Sequence, residues 1–162
     1  IVLQMEENPE LHIKDSEDRL TIDIKHQLCA MGYDASHETK VGGHVDLIVK
    51  KPIKQWLWLG EAKIHKDYEW LLKGFNQLTT RYSSGNNGAS QGGMLIYIRN
   101  ANANSVMNKW DEKLNDAFDN LVTTTCTKNN LSFYSTLDHQ RSGLSFKVRH
   151  IPFVLHFSPQ DK

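Results

Sequence analysis

The fold of this chain is decided by residues 42–64, which read "GGHVDLIVKKPIKQWLWLGEAKI". Residues 42–49 and 56–64 are rich in valine, isoleucine, leucine and tryptophan, and this composition predicts two β-strands. The short break between them contains Pro52, which indicates a turn. Two strands joined by so short a connection are expected to pair antiparallel, as a hairpin.

Charged side chains interrupt both strands on faces that the alternation of a strand predicts. Asp46 shares a face with Ile48, opposite three valine and leucine residues, Val45, Leu47 and Val49. In the second strand, Glu61 and Lys63 share a face with Leu57 and Leu59. If the two strands pair, Asp46, Glu61 and Lys63 converge at one end of the sheet.

Two carboxylates at one place indicate a cation site, because like charges held close together repel each other. Hard oxygen ligands with open coordination positions suit Mg²⁺. A lysine beside such an ion can stabilise negative charge on a phosphate, or help to orient or deprotonate an attacking water. Asp46, Glu61 and Lys63 therefore predict metal-assisted hydrolysis of a phosphodiester.

Asp46, followed after residues 47–60 by Glu61-Ala62-Lys63, resembles the D…E-x-K core of the PD-(D/E)XK nuclease superfamily. Members also carry an acidic residue on a helix before this core, matched here by Glu17, and a helix after the lysine, matched by the one that holds Gln77. The resemblance covers roughly residues 16–100. Two positions depart from the family pattern: Val45 replaces the usual proline, and Tyr82 follows Gln77 by five residues where the family has four.

The resemblance implies a role for each matching residue. Asp46, Glu61 and the main-chain carbonyl of Ala62 are expected to bind Mg²⁺, with Mn²⁺ as a substitute. Lys63 is expected to be the catalytic lysine. Glu17 is expected to bind the metal directly or through water, and Gln77 to be an accessory catalytic glutamine.

The remaining sequence predicts the elements around this core. Apolar stripes at helical spacing predict three helices: 16–31, 67–82 and 104–121. Further strands are predicted at four segments: 36–40, 94–98, 131–137 and 144–157, the last interrupted at Pro152. The segment 83–93, "SSGNNGASQGG", predicts a mobile loop. This order predicts an α/β fold with a mixed central β-sheet flanked by helices, as in restriction endonucleases, and a single domain over residues 1–162.

Composition bounds the function. Lys+Arg and Asp+Glu both number 19, so the net charge is zero and any nucleic-acid interface must be a local basic patch. No apolar run is long enough to cross a bilayer. Cys29 and Cys126 belong to no paired motif, which favours a reducing, cytoplasmic location. Because the first residue is Ile1, a processed chain or a piece of a longer protein is expected.

Several alternatives stay open at this point. The resemblance favours DNA, cut endonucleolytically, and is compatible with bacterial or phage defence; an RNA-cleaving effector or toxin, and an inactive nucleic-acid-binding or assembly module, are the alternatives. A homodimer or a partner domain would supply the second site that a double-strand cut needs. Lys73, Gln77 and Arg81 form one helix face that either contacts phosphates or is simply solvated. For Trp56 and Trp58, packing is favoured over base stacking.

Overall fold

A mixed sheet of seven strands organises the protein. The computed structural model describes residues 1–40, 43–51, 56–82, 85–86 and 88–161. The strands are β1 (Asp34–Lys40), β2 (His44–Lys51), β3 (Trp56–Ile64), β4 (Gln91–Ile98), β5 (Val122–Thr125), β6 (Phe133–Asp138) and β7 (Ser145–Val154). The α-helices are α1 (Val2–Glu6), α2 (Glu17–Ala30), α3 (Tyr68–Gln77) and α4 (Ala103–Ala117). A 3₁₀ turn, Pro9–His12, and a π-helical turn, Leu78–Tyr82, complete the described elements.

The strand order is β1-β2-β3-β4-β7-β6-β5. β1, β2 and β3 form an antiparallel meander, so the predicted hairpin is confirmed. β4 runs parallel to β3 and to β7, and β7, β6 and β5 are again antiparallel. The predicted mixed sheet is therefore confirmed, with the central β4 buried on both faces.

Helices cover both faces of the sheet, as predicted. α3 and α4 pack on one face through a core that contains Phe75 and Trp110. α2 packs on the other face through a core that contains Leu20 and Tyr97. Among the residues that the structure describes, none of the helices combines the length and the apolar character that crossing a bilayer requires.

A buried histidine ties the α3/α4 core to the sheet. The ring of His150 is stacked against Phe133 at 4.3 Å between centroids. Trp110 Nε1–H donates to His150 Nδ1 at 2.9 Å, so Nε2 carries the proton and donates to Ser135 Oγ at 2.8 Å. Burial lowers the pKa of His150 to about 3, which keeps the imidazole neutral.

The predicted helices are found, with corrections at their ends. α2 begins after Ser16, whose hydroxyl accepts the N–H of Arg19, and Gly32 follows it with a left-handed φ of +84°. The segment predicted as one helix over 67–82 is α-helical only to Gln77, since its last turn is π-helical. The predicted helix 104–121 ends at Ala117, where Phe118 takes an extended conformation.

The strand predictions need three corrections. Val45 packs in the α3/α4 core and not with Leu47 and Val49. At this level of the sheet, Glu38 of β1 has a φ of +50° and is skipped in the β1–β2 register, which is otherwise the same on both sides of it. The predicted loop 83–93 contributes its last three residues to β4, and its residues 83–84 and 87 lie outside the described ranges. The strand β5 was missed. The residues 52–55 of the predicted turn also lie outside the described ranges.

Pro152 does not interrupt β7, which was predicted to break there. The N–H of Val154 points away from β4 and donates to Glu6 Oε1, and alternation turns the nitrogen of Pro152 the same way. On that side the pairing of β7 with β6 ends at His150. Pro152 therefore removes no ladder hydrogen bond, which is the condition under which a strand tolerates proline.

Candidate active site

The predicted site residues lie where β2 and β3 stop pairing. The last pair in the β2–β3 register at this end is Leu47 with Gly60. Beyond it, β3 continues through Ile64 beside β4 alone. His65 N–H donates to Tyr97 O at the β4 side, so alternation points the N–H groups of Ala62 and Ile64 toward the gap that β2 leaves.

Two carboxylates satisfy the N–H groups in this gap. Ala62 N–H donates to Asp46 Oδ2 at 2.8 Å. Ile64 N–H donates to Glu17 Oε2 at 2.7 Å, although Glu17 belongs to α2 on the opposite face of the sheet from α3. Because unpaired backbone donors are costly to bury, these bonds fix both carboxylates at the end of the hairpin. The divergence of β2 from β3 thus brings Glu17 and Asp46 together.

The ammonium of Lys63 lies at the centre of this acidic cluster. Its Nζ is 2.7 Å from Glu61 Oε1, 3.5 Å from Glu17 Oε1 and 3.8 Å from Asp46 Oδ2. It also donates to the main-chain carbonyl of Ala62 at 2.8 Å. The structure therefore brings together all four side chains predicted at the centre of the site, with one cation among three carboxylates.

The electrostatics of the cluster favour a further positive charge. Burial raises the pKa of Glu61 to about 7; the charge of Asp46 adds to this effect and Lys63 opposes it. Burial likewise raises the pKa values of Glu17 and Asp46. Burial lowers the pKa of Lys63, but Glu61 and the other carboxylates outweigh it, so the pKa is raised and the ammonium stays charged.

One oxygen of this cluster has an unmet requirement. Glu61 Oε2 is buried and accepts no hydrogen bond from any residue that the structure describes. A buried carboxylate oxygen without a partner is costly, and a proton or a cation removes that cost. The donor set around it, carboxylates and a main-chain carbonyl, consists of the hard oxygen ligands that Mg²⁺ prefers. The residues present thus fit a magnesium ion.

The ligand atoms of Glu17, Asp46 and Glu61 are spread around Lys63 and are not tightly clustered. Within the described ranges, the only three histidine, cysteine or acidic side chains whose ligand atoms all lie within 4.8 Å of one another are His12, Asp15 and Asp23. That second cluster is partly neutralised, because Arg19 lies 3.4 Å from Asp23. It provides an internal control for any test of metal binding.

Gly74 is a site residue that the sequence reading missed. A Cβ at this position of α3 would lie 3.1 Å from both Cγ and Cε of Lys63 and 3.2 Å from Cγ of Glu61. The absence of a side chain therefore lets α3 pack directly against Glu61 and Lys63. A glycine inside an otherwise regular helical pattern was the available indication, since it costs helix stability and usually has a packing reason.

Gln77 reaches the site through Tyr82. Its Nε2 donates to Tyr82 Oη at 3.3 Å. Burial raises the pKa of Tyr82, and the charges of Glu61 and Asp46 raise it further, which indicates that the phenol lies near the carboxylates. The π-helical turn explains why this partner is five residues on from Gln77, because a π turn brings residue i+5 to the position that i+4 holds in an α-helix.

Cationic side chains border the acidic cluster on the α3 side. The ring centroid of Trp70 lies 5.2 Å from Lys63 Nζ, 4.0 Å from Lys66 Nζ and 5.5 Å from Lys73 Nζ. Further along the helix, Lys73, Gln77 and Arg81 line one groove, so they share a face as predicted. This edge gives a molecule of zero net charge the local basic patch that binding a polyanion requires.

No protein-family model, no curated protein and no solved structure matches this chain.

Proposed function

We propose that this chain is a Mg²⁺-dependent nuclease that hydrolyses phosphodiester bonds and cuts DNA internally. The observation that carries the proposal is the unpartnered Oε2 of Glu61, buried beside Asp46 and Lys63 at the end of the β2–β3 hairpin. Surface ion pairs leave no such oxygen, because water satisfies them. A buried carboxylate with one free oxygen and a raised pKa is the arrangement expected of a metal ligand or an acid–base residue.

Asp46, Glu61 and the carbonyl of Ala62 would hold the ion, with Glu17 as an additional or water-mediated ligand. A bound Mg²⁺ supplies Lewis-acid stabilisation of the negative charge on the scissile phosphate. Asp46 and Glu17 are each held by a backbone N–H through one oxygen, and the other oxygen of Glu17 lies 3.5 Å from Lys63 Nζ. The ligands are therefore oriented before any ion arrives.

Lys63 acts as a fixed positive charge. The surrounding carboxylates raise the pKa of its ammonium, which favours a fixed positive charge over a general base. Lys63 instead stabilises the charge that develops on the phosphate as water attacks. Of the two roles that the sequence left open for Lys63, stabilisation of charge on the phosphate and activation of water, we propose the first.

The substrate would approach along α3. Lys66 and Lys73 flank Trp70 beside the cluster and would contact phosphates on either side of the cut. Such contacts carry no base information, so weak sequence preference is expected from this edge. The preference for DNA over RNA rests on the resemblance to the PD-(D/E)XK nucleases.

The test incubates the protein with supercoiled plasmid DNA and with structured RNA, in Mg²⁺ and in EDTA. Wild type and Asp23→Asn, the control from the second acidic cluster, are expected to nick the plasmid in Mg²⁺ only. Asp46→Asn and Lys63→Met are expected to lose at least about a hundredfold in rate. Equal cleavage by Asp46→Asn, or no cleavage by folded wild type in Mg²⁺, would contradict the proposal. Cleavage of RNA alone would overturn DNA as the substrate but would still support metal-dependent hydrolysis of phosphodiesters.

A further inference from the structure

The face of the sheet that α2 covers holds a second feature, centred on two paired glycines. Gly60 of β3 lies beside Gly93 of β4. A Cβ at Gly93 would lie 2.2 Å from Cζ2 of Trp58, and a Cβ at Gly60 would lie 2.9 Å from its Cζ3. The indole of Trp58 therefore lies against the bare backbone of both strands. Because neither glycine carries a side chain, there is room for the ring against the two strands.

The outer side of this ring faces a cavity of about 630 Å³. Trp58 is only half-buried, and it lines the cavity together with Trp56. Ile24 and Leu28 of α2 form an apolar wall. The volume lies within the roughly 300–1,000 Å³ that is typical of small-molecule sites. The two tryptophans, which the sequence analysis assigned to packing, thus present aromatic surface to an open space.

The wall opposite α2 is cationic. Across β3, β4 and β7, Lys147 is in register with Trp58, and Arg149 is in register with the two glycines. Both side chains therefore emerge on the cavity face of the sheet. Lys147 Nζ lies 4.3 Å above the ring of Tyr134. Arg149 Nε is buried and has no hydrogen-bond partner among the described residues. The described lining includes these two cations and no carboxylate.

We infer that this cavity binds a nucleoside monophosphate, with the base stacked on Trp58 and the phosphate at Lys147 and Arg149. A planar ring matches the flat indole, and base–aromatic stacking tolerates any base. The phosphate matches the two cations and the unpartnered Nε, since Arg and Lys are the usual phosphate ligands. The cavity opens on the α2 face, whereas Glu61, Lys63 and α3 lie on the opposite face, so this site is separate from the candidate active site.

The experiment is isothermal titration of the whole protein with AMP, adenosine, inorganic phosphate and dodecyl phosphate in EDTA. AMP contains no phosphodiester bond, so binding is measured without cleavage. Wild type is expected to bind one AMP per chain, with adenosine about tenfold weaker because it lacks the charged group. Lys147→Gln, at an exposed position, is expected to weaken AMP by a similar factor, and Trp58→Leu to weaken both AMP and adenosine.

Lys109→Gln is the matched control, since Lys109 is an exposed lysine of α4, on the opposite face of the sheet. Its AMP affinity is expected to equal that of wild type. Loss of AMP binding in Lys109→Gln but not in Lys147→Gln would overturn the inference by placing the ligand at the other face. Tighter binding of dodecyl phosphate than of AMP would overturn it in favour of an acyl-chain site. Failure of wild type to bind AMP at millimolar concentration would overturn it outright.

Discussion

Glu61 makes the stability of the metal-free protein depend on pH, and a single substitution of this residue should remove that dependence. Its side chain is 1% exposed, and burial raises its pKa from 4.5 to about 7. Between these two values the native protein keeps a proton that the unfolded chain releases. The stability that this carboxyl contributes is therefore full below pH 4.5 and is lost as the pH rises through about 7.

The size of this loss follows from the two pKa values. A change from 4.5 to about 7 corresponds to roughly 3 kcal/mol, of which roughly 2–3 kcal/mol falls between pH 5 and pH 8. Glu61→Gln removes the titrating group. We expect the free energy of unfolding of wild type to fall relative to Glu61→Gln by this amount over that range. The lowered pKa of His150 makes stability rise with pH from about 3 to 6.5. His150 is present in both proteins, so its contribution cancels in the difference between their free energies of unfolding.

The assay is urea denaturation of both proteins at pH 5, 6, 7 and 8 in EDTA, followed by circular dichroism. Glu69→Gln is the control, because Glu69 lies on α3 with a side chain that is 76% exposed. A dependence on pH of equal size in Glu69→Gln would show that the effect does not arise from Glu61. A difference between wild type and Glu61→Gln that is constant from pH 5 to pH 8, or that changes with the opposite sign, would contradict this prediction.

Three further predictions concern residues around the site and in the core. Gly74→Ala is expected to slow cleavage roughly tenfold by displacing Lys63. The free energy of unfolding should change by less than about 1 kcal/mol. An unchanged single-turnover rate would contradict this prediction. Trp110→Phe leaves Nδ1 of His150 without its donor and should cost about 1–3 kcal/mol in urea denaturation, and an unaltered midpoint would contradict it. Ser16→Ala removes the cap of α2 and should lower the free energy of unfolding by about 1 kcal/mol. Ser158→Ala is the control, because Ser158 lies outside helices and strands, and an equal loss in this variant would contradict the prediction.

The sequence predicted the centre of the site because alternation along two short strands is a strong constraint. Once the strands at 42–49 and 56–64 were paired antiparallel, Asp46, Glu61 and Lys63 could converge at one end of the sheet. Glu17 was placed by resemblance, and the structure gives the physical reason for its position, which is the unpaired N–H of Ile64. A requirement of that kind arises only after β2 and β3 diverge.

Other features could not be read from local patterns. Alternation along β2 placed Val45 with Leu47 and Val49, and no local pattern showed that it joins the α3/α4 core or that Glu38 takes a left-handed φ. The π turn after Gln77 is a single inserted residue that an apolar stripe does not reveal. Pro152 was expected to end a strand, but β6 stops pairing with β7 at His150, so the proline removes no hydrogen bond between strands.

Mn²⁺ titration followed by electron paramagnetic resonance tests most directly whether the carboxylates around Lys63 form a site for a divalent cation. Wild type is expected to bind one Mn²⁺ per chain, in competition with Mg²⁺. Asp46→Asn should abolish this binding, and Asp15→Asn, in the separate cluster with His12 and Asp23, should leave it intact. Retention of the ion in Asp46→Asn, together with its loss in Asp15→Asn, would contradict the account.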